Sequence, residues 1–399
     1  MTVESSEWRK PMERFDLPAA FEAFADARKA GFLKVKAAKE QGKQVAGCFC
    51  AFTPLEILDA AGLLTVSLCG MSPETIPAAE TQLPRNLCPL IKSSYGFYLT
   101  DKCPYTYFAD LIVGETTCDG KKKMYELLGQ GKEVYVLHLP QGVEAPYALS
   151  MWTSELRRFI AYLEEHFQIT ITDEALRAAI VRRNALRQAR CRLMELLAAD
   201  TLPISGTELY TFLDGIGFNF DVDDAIRKTR ELADSLAGAS SDRVTAGGKR
   251  ILVTGCPIGG VFKKVVGAVE KAGGNVVCFE NCSGIKPARC QVDETAPDPV
   301  EAIAKAYLDI GCSVMTPNRR RMENLPALAR EFRADGVLDI GLQACHTYLV
   351  ESFDVRALCK QHGLPFMSLE TDYSSADQGQ IDTRIAAFLE TLDQGAQAL

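Results

Sequence analysis

Along the first 45 residues, apolar side chains return at helical spacing. Phe15, Leu17, Phe21, Phe24 and Ala25 form one stripe, and Phe32, Val35 and Ala38 continue it. At Val45 the pattern changes to short apolar runs bounded by turn residues. VAGCFCAF predicts a strand, Pro54 the first turn of a helix continued by Leu55–Ala61, Gly62 its end, and LLTVSLC the next strand. Asp110–Glu115 and Glu133–Leu139 predict two more strands, the first giving way to a helix near Asp119. From about 147 to 237 the period becomes helical throughout. Trp152, Leu156, Phe159, Ile160, Leu163 and Phe167 mark one helix, and Thr172 or Asp173 caps a longer one carrying Leu176, Ile180, Leu186, Leu193 and Leu197. Two further helices start near Ser205 and Asp223, and Ala237–Asp242 with Ala246–Gly248 reads as a linker. After Lys249 the alternation resumes, with RILVTG, NVVCFE, Gly336–Leu342 and LPFMSLE as strands and a helix from about Tyr348 to Gln361.

This order predicts an α/β protein: two Rossmann-like (flavodoxin-like) parallel-sheet domains with a helical segment between them. The expected divisions are N-terminal helices over 1–45, a first α/β domain over 46–146, the helical segment over 147–240 and a second α/β domain over 248–399. The two α/β stretches repeat one plan. VAGCFC and LLTVSLC correspond to ILVTGC and NVVCFENC, and ADLIVGETTCDG corresponds to ADGVLDIGLQACHT. Cysteines fall just past strand ends at matching positions: Cys50 with Cys256, Cys69 with Cys278 or Cys282, and Cys118 with Cys345. Open α/β sheets place their sites outside the carboxyl ends of the strands, so two such domains facing one another bring these thiols to one cleft.

Composition narrows the chemistry. A chain of 399 residues with 47% apolar and 24% charged residues is an ordinary globular protein of more than one domain. Its net charge of -8 argues against nucleic acid as a partner. The one dense basic run, Asn318–Arg321, reads as a solvated helix start. MTVESSEWRK has no apolar signal region and no run of about 18 apolar residues occurs, so a cytoplasmic protein with no membrane partner is expected. In a reducing compartment the 14 cysteines point to metal binding or catalysis rather than disulfides.

Several common motifs are missing. There is no Walker-type phosphate loop, no G-x-G-x-x-G after the first strand of either domain, no H-E-x-x-H and no C-x-x-C pair. A Cys345–His346 nucleophile would leave the other cysteines unexplained. Iron–sulfur ligation suits soft thiolates at long spacings. Dispersed buried cysteines, zinc and a thiol redox switch are the other readings that the residues leave open. The stretch Asn86–Leu128 is the densest candidate, with Cys88, Cys103 and Cys118 at equal intervals on turns.

The segments LPRNLCPLIKSSYG, DKCPYTYFADLIVGETTCDGKKKMYE, VTGCPIGG, QACHTYLVES and ETDYSSADQGQIDTRIAAFLE resemble the 2-hydroxyacyl-CoA dehydratase and benzoyl-CoA reductase superfamily, and within it most of all the double-cubane cluster proteins. The resemblance runs from about Gly31 to Leu389. It implies a cubane held by Cys88, Cys118 and Cys345, and a second cubane held by three of Cys50, Cys103, Cys256 and Cys282, with Cys48 as a substitute for Cys50. The cofactor implied is thus a double-cubane [8Fe-9S]-type cluster, or a [4Fe-4S] cluster if the chain is a dehydratase subunit. The implied function is an iron–sulfur reductase acting on a small-molecule substrate as a homodimer, with electrons from an ATP-hydrolysing iron–sulfur activator. Lys92, Ser93, Thr117 and His346 stand beside the cysteines in these motifs as candidate catalytic residues. Lys121–Lys123 reads as an exposed helix face or a docking patch for the activator. Asp372, Tyr373, Gln380 and Arg384 match the family pattern, with a structural or interdomain role expected.

Overall fold

A computed structural model describes residues 26–397. Helix α1 (Asp26–Glu40) buries Phe32, Val35 and Ala38, as their spacing predicts; the stripe from Phe15 to Ala25 lies outside the described residues. The first parallel sheet follows. Strand β1 (Val45–Cys48) leads to α2 (Leu55–Ala60) and β2 (Leu64–Ser67), and Gly62 reverses the chain between them at φ +72°. Short α3 (Ile76–Ala79), α4 (Pro89–Leu99) and α5 (Pro104–Phe108) precede β3 (Leu111–Glu115), α6 (Asp119–Leu128) and β4 (Val134–Leu137). The strand order is β2-β1-β3-β4, all parallel.

The helical segment comprises α7 (Ala148–Phe167), α8 (Asp173–Glu195), α9 (Gly206–Ile216) and α10 (Val222–Leu236). Thr172 caps α8 by accepting from the Ala175 amide, and Ser205 and Glu208 form a reciprocal capping box at α9. The cap of α10 is Asp221, two residues before the expected start, because its carboxylate accepts from the Asp224 amide.

The second sheet repeats the first. Strand β5 (Arg250–Gly255), α11 (Phe262–Lys271), β6 (Asn275–Glu280) and α12 (Ile285–Ala288) are followed by α13 (Pro299–Leu308) and α14 (Arg319–Glu331). Then come β7 (Gly336–Leu342), α15 (His346–Gln361), β8 (Phe366–Thr371) and α16 (Gln378–Gln397). Its order, β6-β5-β7-β8, has the same parallel plan. The two-sheet α/β fold expected from the alternating pattern is therefore the fold observed. Both central strands are buried along their length, which requires helices on each face and explains their near-continuous apolar runs.

The three regions meet in one polar knot. Glu56 of α2 accepts from Arg187 of α8 and from the Tyr307 hydroxyl of α13, 2.8 Å away, and that hydroxyl accepts from the Leu55 amide at 3.2 Å. Glu56 and Tyr307 are buried, so removing one partner strands the others. Among the described residues, no helix is long and apolar enough to cross a membrane.

One expectation about the surface is corrected. Arg319 and Arg320 are exposed, but Arg321 is fully buried. It donates to Glu351 and Glu280 and, at 2.8 Å, to the Thr254 hydroxyl, with Asp339 also facing it at 3.7 Å. Three acids converging on the second domain's core draw the guanidinium inward, which a charge count along the chain does not reveal.

Candidate functional site

The two sheets turn their carboxyl ends toward one cavity of about 1330 Å³. Its wall includes Cys50, Cys88, Cys103, Cys118, Cys256, Cys282, Cys312 and Cys345, together with Cys48, Cys69 and Cys290. Four of these thiols occupy one kind of position: Cys88, Cys103, Cys118 and Cys345 are the N-caps of α4, α5, α6 and α15. The free amides and positive dipole end of a helix favour an anionic sulfur there. First-turn amides act on three of them in the same way: those of Leu90 and Ile91 on Cys88, Lys121 and Gly120 on Cys118, and Tyr348 on Cys345. Helix α15 thus begins at His346, two residues earlier than expected, and this start places Cys345 at its cap.

The thiols fall into two groups. Cys88 and Cys345 lie within hydrogen-bond reach of each other, Cys118 feels Cys345, and Cys256 acts on Cys88. Cys50, Cys282 and Cys312 form the second group, each of the first two sensing the third. Cys256, fully buried just past β5, senses Cys345 and Cys282 and so lies between the groups. Cys69 follows β2 with its sulfur 3.3 Å from the Phe49 carbonyl, and Cys48 ends β1 with its sulfur on Ala46. The Cys103 sulfur accepts from the Thr106 amide at 3.5 Å.

Burial pushes most of these thiols up. Cys50 and Cys256 are held well above the ordinary range, and Cys282 is pushed up to about 12. Cys88 is the exception: the hydrogen bond with Cys345 outweighs burial and lowers it, while Cys345 rises correspondingly. Buried thiols keep their protons, and a metal bound by them would displace those protons.

A cation missed by the sequence reading lies beneath the thiols. The sequence places Lys121 on an exposed helix face, but only Lys122 and Lys123 are exposed, paired with Asp119 and Glu126. The Lys121 ammonium is buried, 3.3 Å from the Phe49 carbonyl and 5.8 and 5.9 Å from the ring centres of Phe49 and Tyr125. Burial pulls its pKa down, yet Tyr125, Cys50, Glu115 and Cys69 outweigh that and hold it protonated. A second buried ammonium, Lys286, pairs with Glu280 at 2.9 Å and also acts on Cys282.

The other expected site residues divide. Lys92 donates to Glu80 and to the Arg85 carbonyl, both at 2.8 Å, and Ser93 bonds both the amide and the carbonyl of Ser72. Their polar atoms hold the loops flanking Cys88. Thr117 lines the cavity with a buried hydroxyl that has no partner, and exposed His346 lines it at the start of α15. Tyr373 is buried behind the thiols, its hydroxyl unpartnered and sensing Cys88, Cys256 and Cys69. Gln380 and Arg384 are exposed on α16, where Arg384 donates to the Ser368 carbonyl. Cys312 also went unnoticed in the sequence. It sits in the loop between α13 and α14 rather than past a strand, 3.7 Å from the Tyr348 hydroxyl, and its adjoining Gly311 was the available turn signal.

No three His, Cys, Asp or Glu side chains among the described residues converge on one metal position. In an iron–sulfur cluster each thiolate binds its own iron, so the thiols surround a volume instead of meeting at a point.

Residues 50–392 match the family model for the 2-hydroxyglutaryl-CoA dehydratase D-component. The YjiM protein of Escherichia coli (strain K12), named as a dehydratase subunit, is 46% identical over 94% of this chain and 99% of its own. The (R)-phenyllactyl-CoA dehydratase beta subunit of Clostridium sporogenes is 23% identical over 90% of this chain and 94% of its own. A benzoyl-CoA reductase subunit of Thauera aromatica is 21% identical over 88% and 92%.

Proposed function

The chain belongs to the 2-hydroxyglutaryl-CoA dehydratase D-component family, a family of dehydratase and reductase components, and on that premise we propose that it is an iron–sulfur reductase. Its cleft holds a double-cubane [8Fe-9S]-type cluster, and its substrates are small unsaturated molecules. The observation that carries this reading is the pair of thiol groups, drawn from both domains, around one cavity. Cys88, Cys118 and Cys345 hold one cubane, and three of Cys50, Cys256, Cys282 and Cys312 hold the other. Cys103, on the same wall, stays a candidate leg from the family resemblance.

The bound cluster supplies electrons singly at low potential. The chain's own residues set the conditions. The first turns of α4, α6 and α15 direct amides at the thiolates, and Lys121 and Lys286 place positive charge beside them. Cluster charge, hydrogen bonding and burial together set the potential. The sequence has no Walker-type loop, so the energy of ATP enters through a separate iron–sulfur activator. The active form is a homodimer, since one chain carries every cysteine the cluster needs.

A second reading, a subunit of a [4Fe-4S] 2-hydroxyacyl-CoA dehydratase, is favoured by the name of the Clostridium sporogenes relative. Iron and sulfide analysis with EPR on anaerobically purified protein separates the two. About eight irons per chain supports the first, about four moves the assignment to the second, and none ends both.

A further inference from the structure

Helix α8 presents Arg183, Arg187 and Arg190 along one face, at successive turns. The first two have acids waiting. Arg183 donates twice to Asp59 at 2.6 Å, and Arg187 donates to Glu56 and, at 3.1 Å, to the Tyr307 hydroxyl. These pairs fix α2 antiparallel to α8, so the next step along both carries Arg190 past the start of α2. Helix α2 has no third carboxylate to meet it.

Arg190 lines the same cavity as the thiols, and its Nε is buried without a hydrogen-bond partner. Burial draws the guanidinium down to about 10, and the charges that add to this are the like charges of Arg183 and Arg187. A guanidinium whose Nε is buried without a partner, beside two like charges, is costly unless an anion joins it. The thiols do not fill that role: the cations acting on them are Lys121 for Cys50 and Cys69, and Lys286 followed by Lys121 for Cys282. The same cavity wall carries Leu186, one turn back on α8, and Leu213, Ile216, Val222 and Ala225 from α9 and α10, with Asp214 and Asn219 between them.

We propose that Arg190 is the oxyanion-binding residue of this cavity, holding the carboxylate or phosphate of a small substrate whose short apolar body lies against Leu186 and the α9–α10 wall. The proposal deepens the reductase reading and rests on it for calling the ligand a substrate. A guanidinium matches either oxyanion through paired N–H donors, and the apolar side chains of the wall disfavour a strongly hydrated ligand body.

Calorimetric titration of the anaerobic, as-purified protein tests it, with acrylate, inorganic phosphate and the neutral isostere acrylamide as probes. Acrylate binding weakened about tenfold or more in Arg190→Gln, and partly restored in Arg190→Lys, is the expected result. Binding of phosphate but not acrylate, with the same dependence on Arg190, supports the site and assigns its anion to a phosphate-bearing molecule. Thermal unfolding supplies a readout that a structural arginine would move the other way. Arg190→Gln should melt no lower than the wild type without anion, and added anion should raise the wild-type midpoint but not the variant's. Acrylamide binding as tightly as acrylate, neither anion binding, or Arg190→Gln binding them as well as wild type would overturn the proposal. Iron is assayed on the same samples. Full iron without anion binding sinks the Arg190 site alone, and anion binding without iron sinks the cluster reading alone.

Discussion

The thiol of Cys88, at the start of α4 in the first domain, hydrogen-bonds the thiol of Cys345, at the start of α15 in the second. The contact joins a thiol from each domain on the wall of one cavity. If both thiols hold the same cubane, either alone is insufficient. Cys88→Ser and Cys345→Ser should each lose about half the iron or more, and the double variant should lose little beyond the worse single. Iron assays showing independent, additive losses would place the two thiols on different centres.

Cys312 and Cys103 offer a sharper choice. Cys312 acts electrostatically on Cys50 and Cys282, whereas the Cys103 sulfur caps α5. Serine is a good N-cap, so Cys103→Ser should fold without loss of stability. Cys312→Ser is expected to lower iron content and alter the EPR spectrum. The same measurement on Cys103→Ser decides whether that thiol is a leg of the cluster: unchanged iron assigns it to the helix cap, and a loss of about half assigns it to the second cubane.

Glu115, at the end of β3, is pushed up to about 7 by burial, a rise that Lys121 and its hydrogen bond from Thr53 only partly offset. Its second oxygen has no partner, as suits a protonated carboxyl. A carboxyl raised from 4.5 in this way favours the folded state fully below about 4.5, and that contribution is lost as pH rises to about 7. Glu115→Gln keeps the shape and removes the titration. Denaturant unfolding between pH 4.5 and 8 should show the variant gaining on the wild type as pH rises, by a total of order 2–3 kcal/mol. A pH-independent difference would mean that Glu115 does not titrate in this range.

Arg321 neutralises Glu280, Asp339 and Glu351 inside the second domain. Glu280 is held low despite burial because Lys286 and Arg321 flank it. Arg321→Met should therefore destabilise the protein by about 3–5 kcal/mol in urea unfolding, since the acids remain. Arg319→Ala, two residues earlier and exposed against Glu144, should change stability by less than about 0.5 kcal/mol. Equal losses for the two would remove the distinction drawn between them.

Period and punctuation alone carried the fold a long way. The strand–helix alternation and the repeat between VAGCFC and ILVTGC required two parallel sheets, because every such pair needs a crossover helix and both faces must be covered. The same reasoning found cysteines at strand ends, since a parallel sheet gathers its carboxyl ends on one side. It did not find Cys312, which reaches the cavity from a helix–helix loop, or the buried state of Lys121 and Arg321. Local sequence reports a side chain's charge and its place in a helical period. Which way that face turns depends on partners far along the chain: Phe49 for Lys121, Glu280 and Glu351 for Arg321.

Helices and strands follow largely from interactions a few residues long, and their alternation implies parallel sheets, so both were determined by the sequence read by itself. The full set of thiols lining the cavity was not. Cys88, Cys103 and Cys118 are evenly spaced and all cap helices, and the family resemblance already separates Cys103 from the set of Cys88, Cys118 and Cys345. What the fold adds is Cys312, which reaches the same cavity from a helix–helix loop. Spacing along a chain measures contour length, whereas ligation depends on distance through space, and only the docking of the two sheets relates one to the other.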